Sequence, residues 1–112
     1  MSKDTSLIIV WSNCPSEAQA AELAQVLVRE KLAACVHILP RGRSFYIWEG
    51  KMNQEDEWTL KIKTRAALFD DLKARLTVLH PFDVPEILAT PVVDCGVSYG
   101  RWVMDSTQGC KD

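Results

Sequence analysis

Between Ser44 and Thr64 the chain reads SFYIWEGKMNQEDEWTLKIKT, and no other stretch limits the possible folds as much. Aromatic and β-branched residues crowd Ser44 to Trp48, the composition of a strand. From Glu57 to Thr64 the apolar Trp58, Leu60 and Ile62 alternate with Glu57, Thr59, Lys61 and Lys63, the period-two pattern of a strand with one buried face. Glu49-Gly50-Lys51 lies between the runs, with Asn53 and Gln54 after it. A reversal near Gly50, or alternatively nearer Asn53, folds them into a long antiparallel hairpin. Its strands exceed the usual length of about five or six residues. A hairpin that overhangs its own domain exposes unpaired backbone groups along its edge, and such an edge is a template for a partner.

The rest of the chain must supply the domain under that hairpin. Its 112 residues suit a single domain with one core, which at this size needs neither disulfides nor a structural metal. With 47% hydrophobic and 25% charged residues the chain is neither disordered nor fibrous. A net charge of −2, with no long Lys/Arg block, leaves no footprint for nucleic acid. The apolar run Leu7 to Trp11 in the opening MSKDTSLIIVW is too short for a signal segment or a membrane span, so a cytoplasmic location is expected, without nucleic-acid or membrane partners. Cys14, Cys35, Cys95 and Cys110 are widely spaced without a C-x-x-C pair, which fits reduced thiols; Cys35, inside an apolar run, reads as a small buried hydrophobe and Cys110 as a tail residue.

Taken in order, Leu7 to Val10 is a short apolar strand ending at Ser12-Asn13-Cys14-Pro15. Ser16 with Gln19 three residues on has capping-box spacing, and Ala20, Leu23, Ala24, Leu27 and Val28 make one stripe of an amphipathic helix over Ala18 to Leu32. Ala33 to Leu39 is a strand stopped by Pro40, bent at Arg41-Gly42-Arg43 and resumed at Ser44. Thr64 is placed to cap a second helix from Arg65 to about Leu79, with Leu68, Leu72, Leu76 and Leu79 on its inner face and Asp71 and Arg75 as an i,i+4 pair. His80-Pro81 ends it. Glu86 to Val93, interrupted by Pro91, reads as an edge strand, and a last short helix runs from Val97 to about Ser106. The core spans about 7–106, with 1–6 and 107–112 as fraying tails.

Strand, helix, strand, strand, helix, strand is the α+β order of a ferredoxin-like βαββαβ sandwich. Helices on one side of the sheet leave apolar residues on the other side facing water or another copy of the chain, so a homo-oligomer is expected.

Glu30-Lys31-Leu32-Ala33-Ala34-Cys35, Tyr46-Ile47-Trp48-Glu49-Gly50-Lys51, Glu57 with Leu60-Lys61-Ile62-Lys63-Thr64, and His80-Pro81-Phe82-Asp83-Val84-Pro85-Glu86 together resemble the CutA divalent-cation tolerance family, from about Leu7 to Trp102. The resemblance implies a ferredoxin-like protomer, a homotrimer built by strand exchange, and a role in tolerance to copper, Cu(II), or another divalent cation. It also implies likeness to the trimeric PII signalling proteins, which bind small ligands between subunits. Two positions depart from the family pattern: Phe82 stands where a tyrosine is usual, and Ser12 where some members carry a cysteine proposed as a copper ligand.

His80 is the leading candidate metal ligand, because imidazole is a common ligand and a His-Pro turn would fix it at a helix end. The plainer reading is a cation facing the last helix carbonyls. Cys14, two residues beyond Ser12, is the candidate thiol. His37 reads as a core or interface histidine. Glu57, Lys61 and Lys63 share one strand face, and with Glu86, Tyr46 and Trp48 they are candidates for a small-molecule cleft between subunits; the alternatives are a solvated face and interface aromatics. No nucleophile and base pair, G-x-S-x-G or Gly-rich phosphate loop is present, so an enzyme is the weaker expectation.

Overall fold

Leu7–Cys14 forms strand β1, longer than its apolar run, because pairing with β3 carries it through Ser12 and Asn13 after pairing with β4 has stopped at Trp11. In the computed structural model, which describes residues 5–108, there follow helix α1 (Glu17–Arg29), strands β2 (Cys35–Trp48) and β3 (Lys51–Arg65), a 3-10 turn (Ala66–Leu68), helix α2 (Phe69–Leu79), strand β4 (Leu88–Pro91) and helix α3 (Val97–Asp105). The sheet order is β2-β3-β1-β4, with every neighbouring pair antiparallel.

The hairpin turns at Glu49-Gly50. Trp48 pairs with Lys51, and the two central residues have φ of 52° and 76°, the left-handed conformation of the tight turn whose twist matches its strands. β3 pairs with β1 only from Trp58 to Arg65, so Lys51 to Glu57 and their β2 partners project beyond the domain, about 23 Å at strand rise. The register slips between Leu39 and Gly42, where Pro40 has no N–H to give the ladder, yet β2 runs through rather than stopping.

Alternation sends Val10, Cys14, Leu60 and Ile62 to one face, where Ala20, Leu23 and Leu27 of α1 and Leu72 and Leu76 of α2 close the core. Ser16 caps α1 by accepting the Gln19 N–H at 3.2 Å, as its spacing predicts. On the opposite face α3 covers only one end, where Val103 meets Leu7 and Ala34.

Several expectations are corrected. Thr64 does not cap α2: it stays in β3 and its hydroxyl donates to the Leu32 carbonyl at 2.7 Å, so α2 opens from the 3-10 turn without a side-chain cap. Arg75 turns away from Asp71 and makes a two-pronged pair with Glu30 at 2.8 and 2.9 Å, joining α2 to the end of α1. The final strand is confined to Leu88–Pro91. Thr107 and Gln108 do not fray: Thr107 is buried and accepts from Arg65 Nε at 2.9 Å, while the Gln108 N–H donates to the Lys31 carbonyl at 2.8 Å. The tail expectation for residues 1–4 and 109–112, with Cys110, lies outside the described residues.

Candidate functional site

The end of β1, the middle of β3 and the segment after α2 converge on Asn13. Thr59 stands opposite Asn13 in the ladder, and its hydroxyl donates to Asn13 Oδ1 at 2.8 Å. Asn13 Nδ2 donates to Glu86 Oε1 at 3.2 Å, and the Asn13 carbonyl lies 2.7 Å from His80 Nε2. A carbonyl can only accept, so Nε2 carries the ring proton and donates. Nδ1 is then the acceptor, and it receives the Phe82 N–H at 3.1 Å. His80 ends α2, its own N–H bonded to the Leu76 carbonyl at 2.8 Å, and its ring sits 5.1 Å from that of Phe82.

The electrostatics follow from burial and from Glu57, whose carboxylate accepts a hydrogen bond from Ser44. Burial pushes the Cys14 thiol up to about 11, with Glu57 adding to it. That thiol is protonated at neutral pH. Burial lowers the His80 pKa against the opposing pull of the Asn13 carbonyl and Glu57, which agrees with a neutral ring engaged at both nitrogens. Glu86 is raised by desolvation and then by Glu57, so the two carboxylates repel.

These facts measure the fit to a metal. Ser12 and Cys14 both face the core, alternation holding to the end of β1, but the thiol is buried and protonated. Neither nitrogen of His80 carries a free lone pair in this arrangement. Among the described residues no three His, Cys, Asp or Glu side chains form a set that could hold a metal ion. The geometry offers instead an exposed carboxylate, Glu86, held by the Asn13 amide, and the charge of Glu57 adds to the rise in its pKa.

The other expected residues are not gathered here. Tyr46 and Trp48 lie near the hairpin tip, 41% and 53% exposed, with Trp48 about 20 Å along the arm from Glu57. Lys63 lies about 13 Å along β3 from Thr59 and borders, with Lys61, Ile9 and Tyr99, a groove between the sheet and α3. His37 is exposed on the edge strand, in register with Lys61, and is not a core residue. Asn13 and Thr59 escaped the sequence reading; their only signal is a polar pair across a ladder, which appears once the register is known.

Comparison with known proteins follows the same outline. Residues 8–106 match the family model described as CutA1 divalent ion tolerance protein. The chain is 40% identical over 99 residues to the divalent-cation tolerance protein CutA of Thermus thermophilus, covering 88% of this chain and 96% of that one. It is 35% identical to the protein CutA homolog of Danio rerio over 90% of this chain, and 39% identical to a chloroplastic CutA of Arabidopsis thaliana over 96%. It spans 66% and 59% of those two longer relatives. Among solved structures, CutA1 from Oryza sativa superimposes with a TM-score of 0.89 at 39% identity, covering 91% of this chain and 94% of that one. The Thermus thermophilus protein gives a TM-score of 0.88 at 39% identity, covering 91% and 99%.

Proposed function

Since the chain belongs to the CutA1 divalent ion tolerance family, we propose that it is a cation-binding homotrimer of ferredoxin-like protomers, acting in the cytoplasm in tolerance to copper or another divalent cation and without catalytic turnover. The observation that carries the cation reading is the exposed Glu86 carboxylate, held by the Asn13 amide at 3.2 Å; desolvation and then the charge of Glu57 raise its pKa, and a bound cation relieves that repulsion. Oxygen donors of this kind suit a hydrated divalent ion, and further donors come from a neighbouring copy. Cys14 and His80, the ligands expected from sequence, enter such a site only if the thiol loses its proton or the ring gives up its Phe82 contact.

The trimer rests on the arm. Phe45, Ile47 and Met52 are each at least 60% exposed on it, a patch that monomers seldom leave to water. Calorimetric titration with Cu(II) and Zn(II) tests the cation reading. Glu86→Gln should weaken binding about tenfold, and a Glu57→Gln, Glu86→Gln double variant that binds like the parent overturns the assignment.

A second reading has its own support. Lys61 and Lys63 flank a partly apolar groove, and the exposed Tyr46 and Trp48 can reach such a groove only on another copy. That arrangement suits a PII-like sensor of a small anionic ligand between subunits, and nucleotide titration of the assembled protein distinguishes it from the cation reading.

A further inference from the structure

The segment between α2 and β4 is fastened to Asn13 at two points. At its start, His80 gives its Nε2 proton to the Asn13 carbonyl, 2.7 Å away, while Nδ1 holds the Phe82 N–H at 3.1 Å. Near its end, Glu86 takes the Asn13 amide at 3.2 Å. Thr59 fixes the other arm of that amide at 2.8 Å, so its orientation is not free. Between these anchors Pro81 to Val84 are exposed, and no regular secondary structure holds them in place. The imidazole is therefore a strut: one nitrogen grips the sheet, the other grips the loop.

We infer that His80 is a positioning residue rather than a ligand: its neutral ring, in the Nε2–H form, closes the loop from Pro81 to Ile87 onto Asn13 and so holds Glu86 at the end of β1. A cation approaching Glu86 then finds that carboxylate already fixed. The first half, the strut, stands on the hydrogen bonds alone. The second half rests on the cation reading given above.

The experiment uses the full chain and Zn(II), a diamagnetic probe, with three readouts. In the free protein the ring nitrogen resonances should show a protonated Nε2 and an unprotonated acceptor Nδ1, and the Phe82 amide should be protected from hydrogen exchange. His80→Ala removes both contacts; Phe82 exchange should rise about tenfold or more, and Zn(II) affinity should fall about tenfold, as when a supporting hydrogen bond behind a ligand is lost. His80→Gln keeps one donor and one acceptor at similar reach, and should restore both properties. A Zn(II)-ligated ring nitrogen, or a glutamine variant that recovers Phe82 protection but binds Zn(II) as poorly as the alanine variant, makes His80 a ligand and overturns the inference. Unchanged Phe82 exchange in His80→Ala overturns the strut itself. If the parent binds no Zn(II), the cation reading and the second half fall together, while the exchange and tautomer measurements still decide the strut.

Discussion

Ser12 is wholly buried, and its hydroxyl has no hydrogen-bond partner among the described residues. Leaving such a group dry costs about 1–3 kcal/mol, more than its small volume returns in packing. Ser12→Ala should therefore stabilise the chain by about 1 kcal/mol, read as a melting-temperature rise of a few degrees; a fall would mean that the hydroxyl is satisfied. His80 gives a prediction with a sign. Burial lowers its pKa in the folded chain, so around the ordinary histidine value the unfolded chain binds the extra proton. Its contribution is fully present above the unfolded pKa of about 6.5 and is lost as pH falls through that value toward the lower folded one. Stability should decline between about pH 7.5 and 5.5, above the ordinary carboxylate range, and the decline should flatten in His80→Gln. An equal slope in both proteins would remove His80 from the account. At this scale the sequence pointed to His80 and Glu86, but Asn13 was hidden, because its backbone carbonyl and its amide act through partners that only the fold brings to it.

Local rules located the elements well where one pattern acted alone. Ser16 and Gln19 marked the start of α1, and the alternation through Trp58, Leu60 and Ile62 named the core face of β3. They failed where tertiary partners competed. Thr64 looked like a cap until the Leu32 carbonyl took its hydroxyl, and Arg75 found Glu30 in place of Asp71. The turn at Glu49-Gly50 carries the element-scale prediction. Both residues have positive φ, which glycine tolerates and glutamate does not favour. Glu49→Asn should stabilise the hairpin, since Asn-Gly is the preferred pair for such a turn, and Gly50→Val should destabilise it by about 1–2 kcal/mol. Denaturant unfolding checks both, and a harmless Gly50→Val would mean that the turn has moved.

For the whole molecule, the sequence conveyed the order of elements and the overhang, but not which candidate residues meet. Tyr46, Trp48 and Lys63 share a hairpin in sequence and are kept apart by its length, so any joint role belongs to an assembly. If the arm docks on other copies, Trp48→Glu should weaken the trimer, because a charge buried without a partner costs several kcal/mol. Light scattering of the parent at micromolar concentration should give three protomer masses; a particle of 12.6 kDa would end the trimer proposal.

The two-residue turn also sets a timetable. β2 and β3 are neighbours in sequence, so their ladder closes through short loops, whereas β1 and β4 join it only after far longer stretches of chain have been brought back. Hairpins form in about 1–10 μs, ahead of contacts between distant segments. A refolding chain should therefore present its apolar arm before the domain beneath it is assembled, and two chains that meet then can pair arm to arm in the wrong register. Refolding yield should fall as protein concentration rises. Gly50→Val should slow folding more than it speeds unfolding, the kinetic mark of a structure already made in the transition state.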